Sequence, residues 1–309
     1  MTKVINHYTK KKGKISYNPL IRSSLYYFSR AITLFISLQK RNFSGPKIRK
    51  VFIETISFCN NDCSFCPASK KSGKKNPRDK MATNTFERIV NQLHSIHFSG
   101  TFALYCNNEP LLDPRIPDFV KRLREEFPSS KIEIVTSGFR LNAKLANKLF
   151  KSGLSELLVN YYDNSLRLSE SLNDLVKDFE NSPYHNNISI YLRLKDEVLS
   201  NRSGDAVNAK VPDKSLPLWC SLPFEQLYLN YAGDVILCCS DVLWKVVLGN
   251  INNNTIKEIW YNHQFSEIRK ALLKGRRDKI EACNRCDFLG MKHNPKGFLS
   301  AMSVMSGLR

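Results

Sequence analysis

The sequence predicts an α/β protein: a partial, TIM-like (β/α) barrel of about five to six parallel strands, followed by a small α+β domain. Three observations predict it. Between residues 49 and 194 short β-branched runs alternate strictly with stretches of helical period. Past Glu197 that alternation stops in a stretch rich in Ser, Asn, Asp, Lys and Pro over 198–217, after which a hairpin and a capped helix follow. A chain of 309 residues that is 42% hydrophobic is also large and apolar enough for one α/β core with an appendage.

The elements follow in order. Arg49 to Ser57 is an apolar strand that runs straight into Cys59. Thr83 or Asn84 is placed to cap a helix whose apolar positions Phe86, Ile89, Val90, Leu93 and Ile96 keep close to the 3.6 period. Strands are expected over 100–106, 131–137, 155–161 and 187–194, and helices over 114–127, 142–152 and 165–181. Alternation with right-handed crossovers builds a parallel sheet whose loops gather at the carboxyl ends of the strands. Residues 226–239 read as a hairpin turning at Ala232-Gly233-Asp234. Thr255 and Glu258 form a capping box that opens a helix through Leu273, with Gly275 as its stop. There is no 20–50-residue repeat.

Charge is concentrated. Residues 1–50 hold eight Lys and four Arg and no acid, and 69–80 hold Lys70, Lys71, Lys74, Lys75, Arg78 and Lys80 against Asp79 alone. These two stretches account for nearly all of the net +19. A basic arm and one basic loop are not the broad basic face of a nucleic-acid binder. The loop reads as solvated, or as gathering a phosphate-bearing substrate at the mouth of the barrel. Within the arm, residues 24–38 form an apolar helix-compatible run flanked by Arg22, Lys40 and Arg41, which suits either a helix closing the barrel or one lying in a membrane interface. No run reaches the roughly 18 uncharged apolar residues of a spanning helix, and no secretory signal is evident. The expected place is the cytoplasm, with the arm allowing peripheral contact at the inner face of the membrane.

Nine Cys is an odd number, and most fall at metal-ligand intervals. Cys59, Cys63 and Cys66 follow the first strand, three thiols that one loop can wrap around a cluster while leaving one iron open. A structural zinc would need a fourth ligand, and the nearest downstream His is His94. Farther on, Cys220, Cys238, Cys283 and Cys286 supply four thiols from separated elements, able to close around a cluster or a zinc ion.

The pattern Cys-x3-Cys-x-aromatic-Cys, with Phe65 in the aromatic, cofactor-side place, resembles the signature of the radical S-adenosylmethionine (SAM) superfamily. Asn108-Glu109-Pro110-Leu111 resembles the family's Gly-Gly-Glu-Pro element, with Asn107 and Asn108 in place of the glycines. The resemblance implies a [4Fe-4S] cluster on the three thiols, SAM on its open iron, and Glu109 receiving the SAM amino group. It implies further that Ser137, within Thr136-Ser137-Gly138, and Asn160 meet the ribose, and that Arg193 pairs with the carboxylate. The later thiols, with Gly233, Asp241, Gly249-Asn250 and Ile259-Trp260, resemble a SPASM domain in its shortened Twitch form, which implies a second [4Fe-4S] cluster. On this reading 1–46 is the arm, 47–197 the barrel, and 198–309 a linker with the auxiliary-cluster domain.

What the resemblance implies chemically is an enzyme that cleaves SAM to a 5′-deoxyadenosyl radical and abstracts hydrogen from a substrate C–H bond. The substrate is expected to be a small molecule that is oxidised or epimerised, a carbohydrate or sugar-phosphate type, with flavodoxin or ferredoxin as electron donor. Maturation of ribosomal peptides and RNA modification are the alternatives. Two cysteines remain. Cys239 should face away from Cys238 and pack as a small hydrophobe. Cys106, at the mouth end of the second strand, reads first as packing, although a thiol there could also return a hydrogen atom to a substrate radical.

Overall fold

The computed structural model describes residues 3–6, 46–61, 63–68 and 79–290. The helical reading of 24–38 and nearly all of the basic loop lie outside them. One nine-stranded sheet carries the fold, in the order β1-β6-β5-β4-β3-β2-β7-β8-β9. Its strands are β1 (Lys3–Asn6), β2 (Lys50–Ile53), β3 (Thr101–Ala103), β4 (Lys131–Thr136), β5 (Glu156–Tyr162), β6 (Ile188–Arg193), β7 (Gln226–Leu229), β8 (Asp234–Ile236) and β9 (Val247–Asn250). Neighbours from β1 across to β7 pair in parallel, and β7, β8 and β9 pair antiparallel.

The expected alternation is present as α1 (Thr83–Ser95), α2 (Ile116–Glu126), α3 (Ala143–Lys151) and α4 (Glu170–Asp178) between the parallel strands. Side chains alternate across each strand. Val51, Ile53, Ile132, Ile134, Leu157 and Val159 are fully buried in the core, and so are Phe86, Ile89, Val90 and Leu93 of α1. Lys50 and Phe52 on β2, Val135 on β4, and Asn160 and Tyr162 on β5 face instead into a cavity inside the curve of the sheet.

Several expectations are corrected. Helix α1 begins after Ala82 without a side-chain cap, and Ile96 falls past its end with 37% exposure, outside the apolar face. Helix α4 starts only at Glu170, because Ser169 caps it and Asp163 folds the preceding residues into a turn by accepting from Ser165 N at 2.9 Å. The helix expected over 255–273 is two, α6 (Ile256–Tyr261) and α7 (His263–Leu273), following the short α5 (Leu222–Glu225). Asn262 divides them by capping the second, accepting from Phe265 N at 2.7 Å while its Nδ2 donates to Leu248 O at 2.7 Å. The capping box of Thr255 and Glu258 and the left-handed Gly275, φ +68°, stand where expected.

Two strands carry the barrel beyond its sequence-legible part. Residues 3–6, grouped by composition with the basic arm, add a parallel edge strand to β6. Strand β7 pairs in parallel with β2, so the hairpin β7–β8, turning at Gly233 with φ +85°, continues the barrel sheet. The short helix α8 (Glu281–Asn284) closes the described chain near Gly290.

Candidate active site

Strand β2 ends where Glu54 N donates to Leu229 O at 2.9 Å, and the following loop is tied down by Ser57 N to Asp79 O at 3.0 Å and by Glu109 N to Phe58 O at 3.1 Å. That loop carries Cys59, Cys63 and Cys66, all lining the cavity together with Phe65, whose ring lies 5.2 Å from that of Tyr162. Cys66 N donates to Cys63 O at 3.0 Å, curling the last two thiols into one turn. Burial pushes the Cys59 thiol up to about 12 against the smaller lowering by the Asn61 backbone. As a thiol it keeps its proton at neutral pH, and a metal would displace that proton.

Glu109 is 2% exposed yet sits on the cavity wall. Its Oε1 accepts from Leu111 N at 3.2 Å and from the Thr136 hydroxyl, and its Oε2 accepts from Ser137 N at 2.7 Å. Thus Glu109 and the Thr136-Ser137 pair, separate motifs in the sequence, form one hydrogen-bonded unit. Asn160 lines the same cavity. Arg193 is not among the cavity residues: its Nε donates to Asn160 Oδ1 at 3.0 Å and its Nη1 to Glu197 at 3.1 Å, so its fork holds Asn160 in place.

Cys220, Cys238, Cys283 and Cys286 are each 8% exposed. All four are raised above the ordinary thiol value, burial being the first cause and neighbouring thiols a further one for each. Cys220 reaches about 11. Arg277, 1% exposed, opposes that rise at Cys220, Cys283 and Cys286, and is itself held by the carbonyls of Leu218 and Trp219 at 2.8 Å and of Phe288 at 2.5 Å. Among the described residues no three His, Cys, Asp or Glu side chains close on one point as a single ion needs. Soft thiolates with a buried cation beside them fit a polynuclear iron–sulfur cluster.

The cavity measures about 580 Å³. Several of its groups carried no signal in the sequence. Glu133 accepts from the Lys50 ammonium and, at 2.8 Å, from the Tyr105 hydroxyl, which fixes two residues of the cavity lining, Lys50 and Tyr105. Arg202, from the segment read as linker, also lines it, and its Nη1 donates to Cys239 O at 3.3 Å. Burial works against the charge on Arg202, but Cys66, Cys239, Cys106 and Tyr162 outweigh it and raise its hold on the proton. Asn107 Oδ1, Asn108 Nδ2 and Arg202 Nε are buried without a hydrogen-bond partner among the described residues, the condition in which polar atoms are satisfied by a ligand. The residues present therefore fit both SAM and a polar substrate.

Cys106 and Cys239 both line the cavity and are half-buried. Strand alternation does not govern Cys239, because β8 ends at Ile236 and Cys238 and Cys239 lie beyond it; Cys239 packs partly buried against the core, as a small hydrophobe would, and also lines the cavity. No helix of the described residues is long and apolar enough to cross a membrane.

Comparisons with known proteins bear on this geometry. Residues 53–166 match the radical SAM superfamily, and 220–287 match SPASM, an iron–sulfur cluster-binding domain. The chain is 28% identical over 235 residues to an S-adenosyl-L-methionine-dependent 2-deoxy-scyllo-inosamine dehydrogenase of Niallia circulans, covering 76% of this chain and 91% of that one. Among solved structures it is similar to BtrN in complex with AdoMet and 2-DOIA, with a TM-score of 0.68 and 27% identity over 78% of this chain and 93% of that one. An open conformation of BtrN matches at a TM-score of 0.57 and 24% identity, over 78% and 92% of the two chains. AdoMet-bound anSMEcpe, at 0.50 and 14% over 84% and 96%, is alike in fold alone. The two matched segments imply SAM and two [4Fe-4S] clusters, and each contains one of the cysteine sets that the fold gathers. The chain thus carries a radical SAM domain over residues 53–166 and a SPASM iron–sulfur domain over residues 220–287.

Proposed function

We propose that this enzyme oxidises a small polyhydroxylated substrate, an aminocyclitol or sugar, at a C–H bond. The observation that carries the reading is the cavity: about 580 Å³, a small-molecule size, with the Cys59–Cys66 loop on one wall and Cys239-Ser240, directly after Cys238, on another. When bound, SAM with the first cluster would supply hydrogen-atom abstraction from the C–H bond, and the second cluster would supply an acceptor for the remaining electron, the hydroxyl proton leaving to solvent. The chain's own residues do the rest. Cys59, Cys63 and Cys66 hold the first cluster; Cys220, Cys238, Cys283 and Cys286 hold the second. Glu109, with Ser137 and Asn160, binds SAM, and Arg193 positions Asn160. The stacked rings of Phe52 and Tyr228, 4.5 Å apart, keep one wall dry. Lys50, Tyr105, Gln226 and Arg202 offer hydrogen bonds to hydroxyl or amino groups.

The similarity to a dehydrogenase of 2-deoxy-scyllo-inosamine supports this substrate class. The test is anaerobic reconstitution with SAM, a reductant and 2-deoxy-scyllo-inosamine, beside neutral sugars and sugar phosphates. A ketone formed with one equivalent of 5′-deoxyadenosine is expected, with about eight iron atoms per chain. The absence of substrate-dependent 5′-deoxyadenosine with every member of the panel would defeat the reading. Epimerisation is the second reading, favoured by the cavity thiols of Cys106 and Cys239; solvent deuterium in product without net oxidation would establish it.

The six cations of 69–80 support a phosphate-bearing substrate, and their reversal should then raise KM. The net +19 suits an acidic electron donor such as flavodoxin or ferredoxin. A cytoplasmic enzyme touching the inner membrane face through its basic arm should float with anionic liposomes and lose that behaviour without residues 1–46.

A further inference from the structure

The turn Asn201–Gly204 is held from two sides by the loops that carry the auxiliary-site thiols, while its Arg202 side chain lines the cavity of Cys59, Cys63 and Cys66. On one side is the loop of Cys283 and Cys286: Asn201 Nδ2 donates to Arg285 O at 2.6 Å, Asn201 N donates to Asp287 Oδ2 at 3.0 Å, and Asp287 N donates back to Asn201 Oδ1 at 3.1 Å. A Cβ at Gly204 would stand 2.8 Å from Arg285 Cβ, so the two segments are in close contact. On the other side is the loop after Cys238. Lys245 Nζ donates to Ser203 O at 3.2 Å and to Asp205 at 2.8 Å, and Lys245 N is fixed by Asp241 at 2.8 Å.

Asn201 is fully buried, and its Oδ1 also accepts from Gly204 N at 3.2 Å. Within this grip Arg202 and Ser203 have φ of +48° and +59°, a left-handed pair without glycine. Such backbone costs on the order of 1–3 kcal/mol per residue and persists only where its surroundings overdetermine it. Its effect is to send the Arg202 side chain into the cavity that Cys59, Cys63 and Cys66 line.

We propose that Asn201 is a positioning residue that couples the auxiliary-cluster loops to Arg202, so that binding of the second cluster orders the SAM-side cavity. The coupling is mechanical. A cluster on Cys238, Cys283 and Cys286 fixes the loops bearing Arg285, Asp287 and Lys245; those loops hold the Asn201 turn, and the turn holds the guanidinium. The inference rests on the two-cluster assignment and is independent of the substrate.

The test compares wild type, Asn201→Ala, Arg202→Leu and a Cys283→Ala/Cys286→Ala double variant, all full-length and anaerobically reconstituted. In the double variant, amide exchange over 199–206 should lose protection at least tenfold while 131–136 keeps it. In Asn201→Ala the iron count should stay at about eight, and the potential of the SAM-side cluster should fall toward that of Arg202→Leu, because a cation leaves its surroundings. Unchanged protection in the double variant, loss of protection at 131–136 as well, or a wild-type potential in Asn201→Ala would each overturn the proposal. A wild-type count of about four iron atoms would remove the second cluster and the proposal with it. That result is distinct from a failed coupling, in which the count is about eight and 199–206 stays protected.

Discussion

The backbone N–H of Ser137 donates to Glu109 Oε2 across 2.7 Å, joining the loop after β3 to the end of β4 through one buried carboxylate. With the Thr136 hydroxyl and Leu111 N on Oε1, that carboxylate accepts from three donors of the chain. Glu109→Gln would set an NH2 against one of these donors. Leaving a buried donor unmatched costs about 1–3 kcal/mol. We expect SAM affinity to fall about tenfold or more while the iron count is unchanged. Equilibrium dialysis with SAM checks this, and an unaltered Kd would refute it.

Arg193 and Asn160 should behave as a unit, since the Arg193 Nε bond to Asn160 Oδ1 at 3.0 Å is the contact that orients the amide toward the cavity. Arg193→Met and Asn160→Ala should each weaken SAM binding about fivefold, and the double variant little more than either. The coupling expected for such neighbours is about 1 kcal/mol. Additive effects would show that Arg193 acts apart from Asn160.

Local pattern made much of this legible. The thiols of 59–66 sit in the loop after a strand because β-branched residues run straight into them, whereas Glu109, Ser137 and Asn160 are picked out by the family resemblance, period locating only the strands near them. What escaped was long-range. Asn201 reaches partners 84 and 86 residues away, and its segment has neither helical nor strand period. Lys50, Tyr105 and Glu133 each read as one polar position on a separate strand, and only the curve of the sheet brings them together. Asn262 broke a long apolar period because a side chain that caps one helix ends the one before it. Residues 3–6 were hidden by the basic composition around them.

Glu133 gives a pH signature. Burial raises its carboxyl, but the Lys50 ammonium and the hydrogen bonds from Lys50 and Tyr105 outweigh burial, and the net shift is downward. A carboxyl lower in the folded than in the unfolded chain adds stability above the unfolded value, roughly 4.3, and loses it as pH falls through the folded value. Glu133→Gln should therefore be less stable than wild type at pH 7, by about 1–3 kcal/mol, because the half-buried Lys50 loses a charged hydrogen-bond partner. Urea midpoints taken from pH 7 downward should converge below about pH 4.3. A gap that stayed constant with pH would contradict the assignment.

Arg277 offers a selective handle on the second cluster. Its guanidinium is 1% exposed, bonds three backbone carbonyls, and counters the rise in the Cys220, Cys283 and Cys286 thiols, so it supports both the loop geometry and the thiolate form that metal requires. Arg277→Met removes the charge and leaves the carbonyls of Leu218, Trp219 and Phe288 unmatched. Arg277→Lys keeps the charge but not the planar fork that reaches all three. Both should lose the auxiliary cluster on reconstitution, the Met variant more completely, lowering iron from about eight to about four per chain. The SAM-side cluster should survive, since Cys59, Cys63 and Cys66 stand in a separate loop after β2. Iron analysis with paramagnetic resonance of the reduced protein separates the two centres, and a full complement of iron in Arg277→Met would show that the four thiols need no cation beside them.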